Sequence, residues 1–145
     1  MRLLIDTNLY VSHFLNLEGR ATTISQVLSI ALTSRVDLVF PFAQLAELEG
    51  ICRKPRLRER INEEKWRLYL VALTSTATVL AQDTDPYPRV VRNPGDDYLI
   101  AAGIREHIDV LVSGDKDLLA LRENLERPRI MSPAEFVAEF APASS

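Results

Sequence analysis

The stretch DVLVSGDKDLLALRE, residues 109–123, decides the fold. DVLVS reads as the clearest buried strand in the chain, a short apolar run too brief for a helix. Two residues past its end, Asp115 opens DKDLLALRE, which reads as the start of a helix. The same alternation recurs on working outward. RLLI (2–5) is a strand candidate ending at Asp6, and VDLVF (36–40) is a second, with TATVL (76–80) as a short third. Residues 22–34 suit an amphipathic helix with Ile24, Val27, Leu28 and Ala31 on one face. Further helices are expected over roughly 43–52, 59–73 and 96–107. Residues 82–95, with three prolines, read as a loop. The last helix is expected over 132–140, with Ser132 as N-cap and Pro133 at its first position. Strands separated by helices imply a three-layer α/β/α domain with a central, mainly parallel sheet. In such sheets ligands bind at the carboxyl ends of the strands.

At 145 residues, 47% of them hydrophobic, the chain suits one domain with a core that needs no disulfide. We expect that domain over 1–141 and a short tail over 142–145. The single cysteine, Cys52, excludes an internal disulfide and suits a reducing cytoplasm. No run approaches the roughly 18 apolar residues of a membrane span, and Asp6 interrupts the N-terminus, so a soluble, cytoplasmic protein is the expectation. The net charge of −3 argues at first against a nucleic-acid partner. Its distribution argues otherwise. RKPRLRERINEEKWR (53–67) carries seven basic and three acidic side chains, which leaves −7 for the remainder.

The acids fall where a crevice is expected. Asp6 and Asp115 follow strands, and Glu47 and Asp97 lie in the first turns of helices flanking the same edge. Phosphodiester hydrolysis uses carboxylates gathered from distant parts of a chain and made tolerable by a divalent cation. Hard oxygen donors favour Mg²⁺ or Mn²⁺, and the isolated His13 and His107 offer no zinc site. Crowding of these acids should raise some of their carboxyl pKa values. Each acid also has a plainer use, since an Asp after a strand often caps a helix. Glu47 and Glu49 point about 200° apart on a helix, so at most one faces the crevice, and angle alone does not choose between them. Asp96 and Asp97 pose the same choice.

Four ordered blocks, LLIDTN (3–8), LAELEGICRKPRL (45–57), NPGDDYLIAAG (93–103) and VLVSGDKDLLAL (110–121), resemble PIN-domain nucleases. The likeness covers nearly the whole chain. It is nearest to the prokaryotic, VapC-like branch described as toxins of toxin–antitoxin systems. That resemblance implies metal and catalytic roles for Asp6, Glu47, Asp97 and Asp115, with Asp117 as a fifth ligand. It chooses Glu47 over Glu49 and Asp97 over Asp96, and makes Asn8 and Ser113 polar helpers. It implies Mg²⁺- or Mn²⁺-dependent cleavage of RNA by in-line attack of an activated water on phosphorus, a cognate antitoxin and a homodimer. One departure is that members often place a Ser shortly before the glutamate, where this chain reads PFAQLAE, so a helix cap is missing.

Other stretches are read beside these. Arg53, Lys54, Arg56, Arg58 and Arg60 are expected either to track an RNA backbone or to form a solvated face. Arg89 and Arg92 are weaker candidates for the same contact. Trp66, Tyr69 and Cys52 read as core or contact residues. Two other enzyme and signalling folds also begin with an Asp after a first strand. A haloacid dehalogenase-like phosphatase needs a second Asp two residues on, where Asn8 stands, and a receiver domain needs an early acidic pair that DTN lacks. The non-enzyme alternative is a catalytically silent PIN-like binding module, against which all four acids are present.

Overall fold

The computed structural model describes residues 1–17, 22–33, 36–80 and 94–141, with the side chains of 33 and 94–97 outside that description. The 82–95 loop (up to 93), Arg89, Arg92, the 142–145 tail and the side chains of Asp96 and Asp97 therefore lie outside the described residues.

Five parallel strands form one sheet: β1 (Arg2–Ile5), β2 (Asp37–Phe40), β3 (Thr78–Val79), β4 (Val110–Val112) and β5 (Arg129–Met131). Their spatial order is β3-β2-β1-β4-β5. The chain thus builds outward from β1 to β3, then returns to lay β4 on the other side of β1. Successive side chains on a strand point to opposite faces, and the core divides accordingly. Leu3, Ile5, Leu38, Phe40, Val110 and Val112 join one cluster, while Leu4, Val39, Leu111 and Ile130 join the other. Both faces are apolar, so both need a helical layer.

The first face is covered by α1 (Thr7–Leu15), α2 (Thr23–Thr33), α3 (Phe42–Glu49), α5 (Glu63–Thr74) and α8 (Pro133–Phe140). The second is covered by α6 (Pro94–Arg105) and α7 (Lys116–Ala120). Each fully buried Leu, Ile or Phe in these layers stabilises the fold by about 1.5–3 kcal/mol. Trp66 is part of the core, with its indole N–H donating to the Leu48 carbonyl at 2.7 Å and its ring meeting Phe14 edge-on. Cys52 packs against the edge of the same cluster. Ser132 and Glu135 form a reciprocal capping box at α8, with Pro133 at its first turn, as expected.

Several boundaries differ from the sequence reading. The helix expected over 59–73 begins only at Glu63, because the Asn62 side chain accepts from the Lys65 N–H and caps it there. The basic run before it instead forms a 3₁₀ turn at Ile51–Arg53 and the short α4 (Pro55–Arg58), led by a proline at its first position. Pro94 likewise starts α6 earlier than the loop reading allowed. Two elements were not expected. β5 has three residues at a sheet edge, and α1 has no strong apolar periodicity, yet buries Tyr10 and Val11. Among the described residues no helix is long and apolar enough to cross a membrane.

Gly103 on α6 lets the helix pack closely against Pro128. A Cβ there would lie 2.8 Å from Cγ of Pro128, a ring atom with little room to give. Gly103→Val is expected to lower stability by about 1–3 kcal/mol, the usual cost of overpacking. The urea midpoint measures it, and an unchanged midpoint would mean that Pro128 is not seated against α6.

Candidate active site

The switch in strand order falls between β1 and β4, which is where an open parallel sheet forms its crevice. Asp6 leaves β1 at that point, and its backbone N–H donates to the Val112 carbonyl at 2.9 Å. Asp115 follows β4 by three residues, and Glu47 sits on the helix that follows β2. Glu47 is the sixth residue of α3 and so lies in its second turn, not its first.

Asp6 is buried at 5% exposure, yet no basic side chain meets it among the described residues. Its Oδ2 accepts from the Ser113 hydroxyl at 2.8 Å, and its Oδ1 makes a long 3.4 Å contact with the Asn8 N–H. Burial pushes its carboxyl above the usual 3.8. Hydrogen bonds from Ser113 and Asn8 oppose the shift, while repulsion from Asp115 and Glu47 adds to it. The leading cause is therefore burial and not the crowding expected from sequence. Asp115 and Glu47 thus each lie near enough for their charge to act on Asp6.

Asp115 does two things. Its Oδ1 caps α7 by accepting from the Asp117 N–H at 2.7 Å, and its own N–H donates to Ser113 Oγ at 3.0 Å. Buried Ser113 thus accepts from one acid's backbone and donates to the other acid's side chain. Asn8 is exposed and contributes its backbone N–H, and Asp117 is likewise exposed.

Glu47 is half-buried, with Oε2 accepting from the Tyr98 phenol at 2.8 Å. Glu49 is exposed and lines a groove of about 440 Å³ with Leu45, Arg53 and Trp66. Burial, the leading cause, and the nearby Glu47 charge raise the Tyr98 pKa well above the phenolic value, so it stays protonated. Gln44, fully buried, donates from Nε2 to the Ile5 carbonyl and to Thr7 Oγ1. The helix has no side-chain cap, and Gln44 ties it to the sheet instead. Thr7, Gln44 and Tyr98 were not singled out from sequence. Their contacts span 37 to 91 residues of chain, beyond the reach of local patterns.

The donor set is hard oxygen, which suits Mg²⁺ or Mn²⁺ better than zinc. His13 stands apart, its Nδ1 2.7 Å from the Tyr69 hydroxyl. Among the described residues no three His, Cys, Asp or Glu side chains close on one point. The amino edge of the sheet offers a contrast, since there Asp109 meets Arg127 at 2.6 Å and Asp37 meets Arg2 at 3.5 Å.

A three-layer α/β/α domain whose switch-point acids have no ion-pair partner among the described residues is the class that fold and site define. Residues 2–117 match the PIN domain family, and the chain belongs to it. It is similar to the uncharacterized protein MJ1680 of Methanocaldococcus jannaschii, at 24% identity over 97% of this chain and 92% of that protein. It also shares its fold with a chain of the crystal structure of VapBC2 from Rickettsia felis bound to a DNA fragment from their promoter. That match has a TM-score of 0.62 at 13% identity, covering 91% of this chain and 98% of that one.

Proposed function

We propose that this PIN-domain protein is an Mg²⁺- or Mn²⁺-dependent endoribonuclease and the toxin of a toxin–antitoxin pair. One observation carries the reading: Asp6 is buried at the sheet's switch point with no cationic partner among the described residues, and Glu47 and Asp115, from two other elements, lie near enough for their charges to act on it. Unpaired carboxylates held together are costly unless a cation joins them.

Asp6, Glu47 and Asp115 would hold that cation, with Asp97 and Asp117 completing the set and Ser113 and Asn8 orienting Asp6. When bound, it supplies an activated water and neutralises charge on the phosphate. Water adds to phosphorus as the P–O bond to the leaving nucleotide breaks. Ser113 keeps one oxygen of the buried Asp6 aligned. The fold match to a chain of VapBC2 bound to a DNA fragment from their promoter, together with the VapC-like sequence resemblance, supports an antitoxin partner here. A homodimer is the assembly we propose, for which α5 offers the exposed Leu68 and Val71. The cytoplasm is its proposed compartment. The test is cleavage of total RNA by purified protein in millimolar Mg²⁺ or Mn²⁺ and in excess chelator. Equal cleavage in chelator would overturn the metal-dependent reading.

Arg53, Lys54, Arg56, Arg58 and Arg60 are all exposed, and none forms an ion pair among the described residues. Arg53 lines the groove shared with Glu49, so the docking role falls chiefly on the residues after it. Reversing Arg56, Arg58 and Arg60 to Glu is expected to weaken RNA binding and flatten its salt dependence. About 0.7 of logarithmic slope is lost for each single-strand phosphate contact removed. An unchanged slope would assign the stretch to a solvated face.

A further inference from the structure

The hydrogen bonds behind Glu47 have only one consistent direction. An ionised carboxylate can only accept, so the contact from Tyr98 Oη to Glu47 Oε2 uses the phenol proton. In its 3.0 Å contact with Thr7 Oγ1, Tyr98 must then accept, and the threonine hydroxyl donates. The Thr7 oxygen is in turn free to accept from Gln44 Nε2, at the long distance of 3.4 Å. The other Nε2 proton goes to the Ile5 carbonyl, which fixes the amide's orientation, since a flipped amide would set oxygen against oxygen. Gln44 Oε1 is buried without a partner among the described residues, so the amide is held by what its nitrogen gives. The chain runs Gln44 to Thr7 to Tyr98 to Glu47. It begins and ends on α3 and passes through α1 and α6.

We propose that Tyr98, supported by Thr7, is a positioning residue that fixes the Glu47 carboxylate by its Oε2 and leaves Oε1 to face the cation. This rests on the metal-dependent reading above. Glu47 is half-buried on the second turn of α3 and its carboxylate makes no other hydrogen bond among the described residues, so without the phenol its side chain is free to change rotamer. Partners that orient a metal-binding carboxylate typically contribute 10- to 100-fold to metal affinity. Tyr98 also joins α6, the helix that carries Asp97, to the helix that carries Glu47.

The experiment compares wild type with Tyr98→Phe, Thr7→Val, Thr7→Ser and the Tyr98→Phe/Thr7→Val double variant. Three quantities are read: the Mg²⁺ dissociation constant by calorimetry without RNA, the melting temperature in chelator, and kcat and KM on RNA. Tyr98→Phe is expected to raise the Mg²⁺ dissociation constant roughly 10-fold and to lower kcat with little change in KM. Thr7→Val should move the same quantities less, and Thr7→Ser should recover what Thr7→Val loses. The double variant should be no worse than Tyr98→Phe, because both break one chain. Wild-type Mg²⁺ affinity in Tyr98→Phe, at whatever melting temperature, would overturn the positioning role while leaving the metal site standing. Losses that add in the double variant would also overturn it. Should Tyr98→Phe not fold, Thr7→Val decides by the same measurement. If wild type itself binds no Mg²⁺ at millimolar concentration, the metal-dependent reading fails first and takes this role with it.

Discussion

Asp6→Asn is expected to reduce RNA cleavage by about 10³-fold while making the metal-free protein melt higher than wild type. The loss follows from removing a charged donor at the switch point. Metal-borne stabilisation of the transition state amounts to several kcal/mol, and each 1.4 kcal/mol is about tenfold in rate. The gain in stability follows from burial. Asparagine keeps an oxygen for the Ser113 hydroxyl and removes a charge that burial and two neighbouring acids disfavour. The pH dependence has a definite sign. A carboxyl raised in the folded state binds its proton more tightly there than in the unfolded chain. Its contribution to stability is fully present below the unfolded value of 3.8 and is lost as pH rises through the raised folded value. Asp109 runs the other way. The Arg2 N–H, its largest influence, lowers its pKa, so its contribution is lost on acidification. The difference in melting temperature between Asp6→Asn and wild type isolates the Asp6 effect. It should be positive at neutral pH in chelator and shrink as pH falls toward 4. A variant that melts lower than wild type at neutral pH would make Asp6 chiefly a cap for α1.

Glu47→Gln is expected to lower cleavage by roughly 10²-fold, the upper range for a weakened metal set, and Glu49→Gln to leave most of it. The two acids are two residues apart on one helix and so face about 200° apart. Glu47 accepts from Tyr98 beside Asp6, whereas Glu49 lines the opposite groove with Arg53 and Trp66. The glutamine at position 47 can still accept from the phenol, so the fold should hold and the loss should fall on charge. Circular dichroism and kcat measured together check this. Equal losses from both variants, each folded, would move the site off this face of α3.

The sheet was legible because β1, β2 and β4 are short apolar runs buried on both faces, and such runs bounded by helices leave few arrangements. Strand order was not read from the sequence and comes from the structure. What the sequence hid was small or non-local. Arg129–Met131 is too short to show a period, and α1 mixes polar and apolar residues without a clear stripe. The acids were legible as strand-end residues, but so were their plainer roles. Asp115 caps α7 and Asp6 caps α1 while both lie in the shared field, so capping and ligand duty do not exclude each other. Only the resemblance chose Glu47 over its neighbour before the structure placed the two on opposite sides. The buried links of Gln44, Thr7 and Tyr98 had no sequence signal, because a glutamine or tyrosine in an apolar helix looks the same whether or not it has a distant partner.

A divalent cation held by carboxylates at the β1–β4 switch point would be visible in an anomalous difference map from crystals soaked in millimolar Mn²⁺. A peak is expected about 2.0–2.3 Å, the range for hard-cation oxygen contacts, from an oxygen of Asp6 and of at least one of Glu47, Asp97 and Asp115. The same peak should be lost in Asp6→Asn crystals. A soak that leaves this edge without a peak, or a peak that survives in Asp6→Asn, would contradict it.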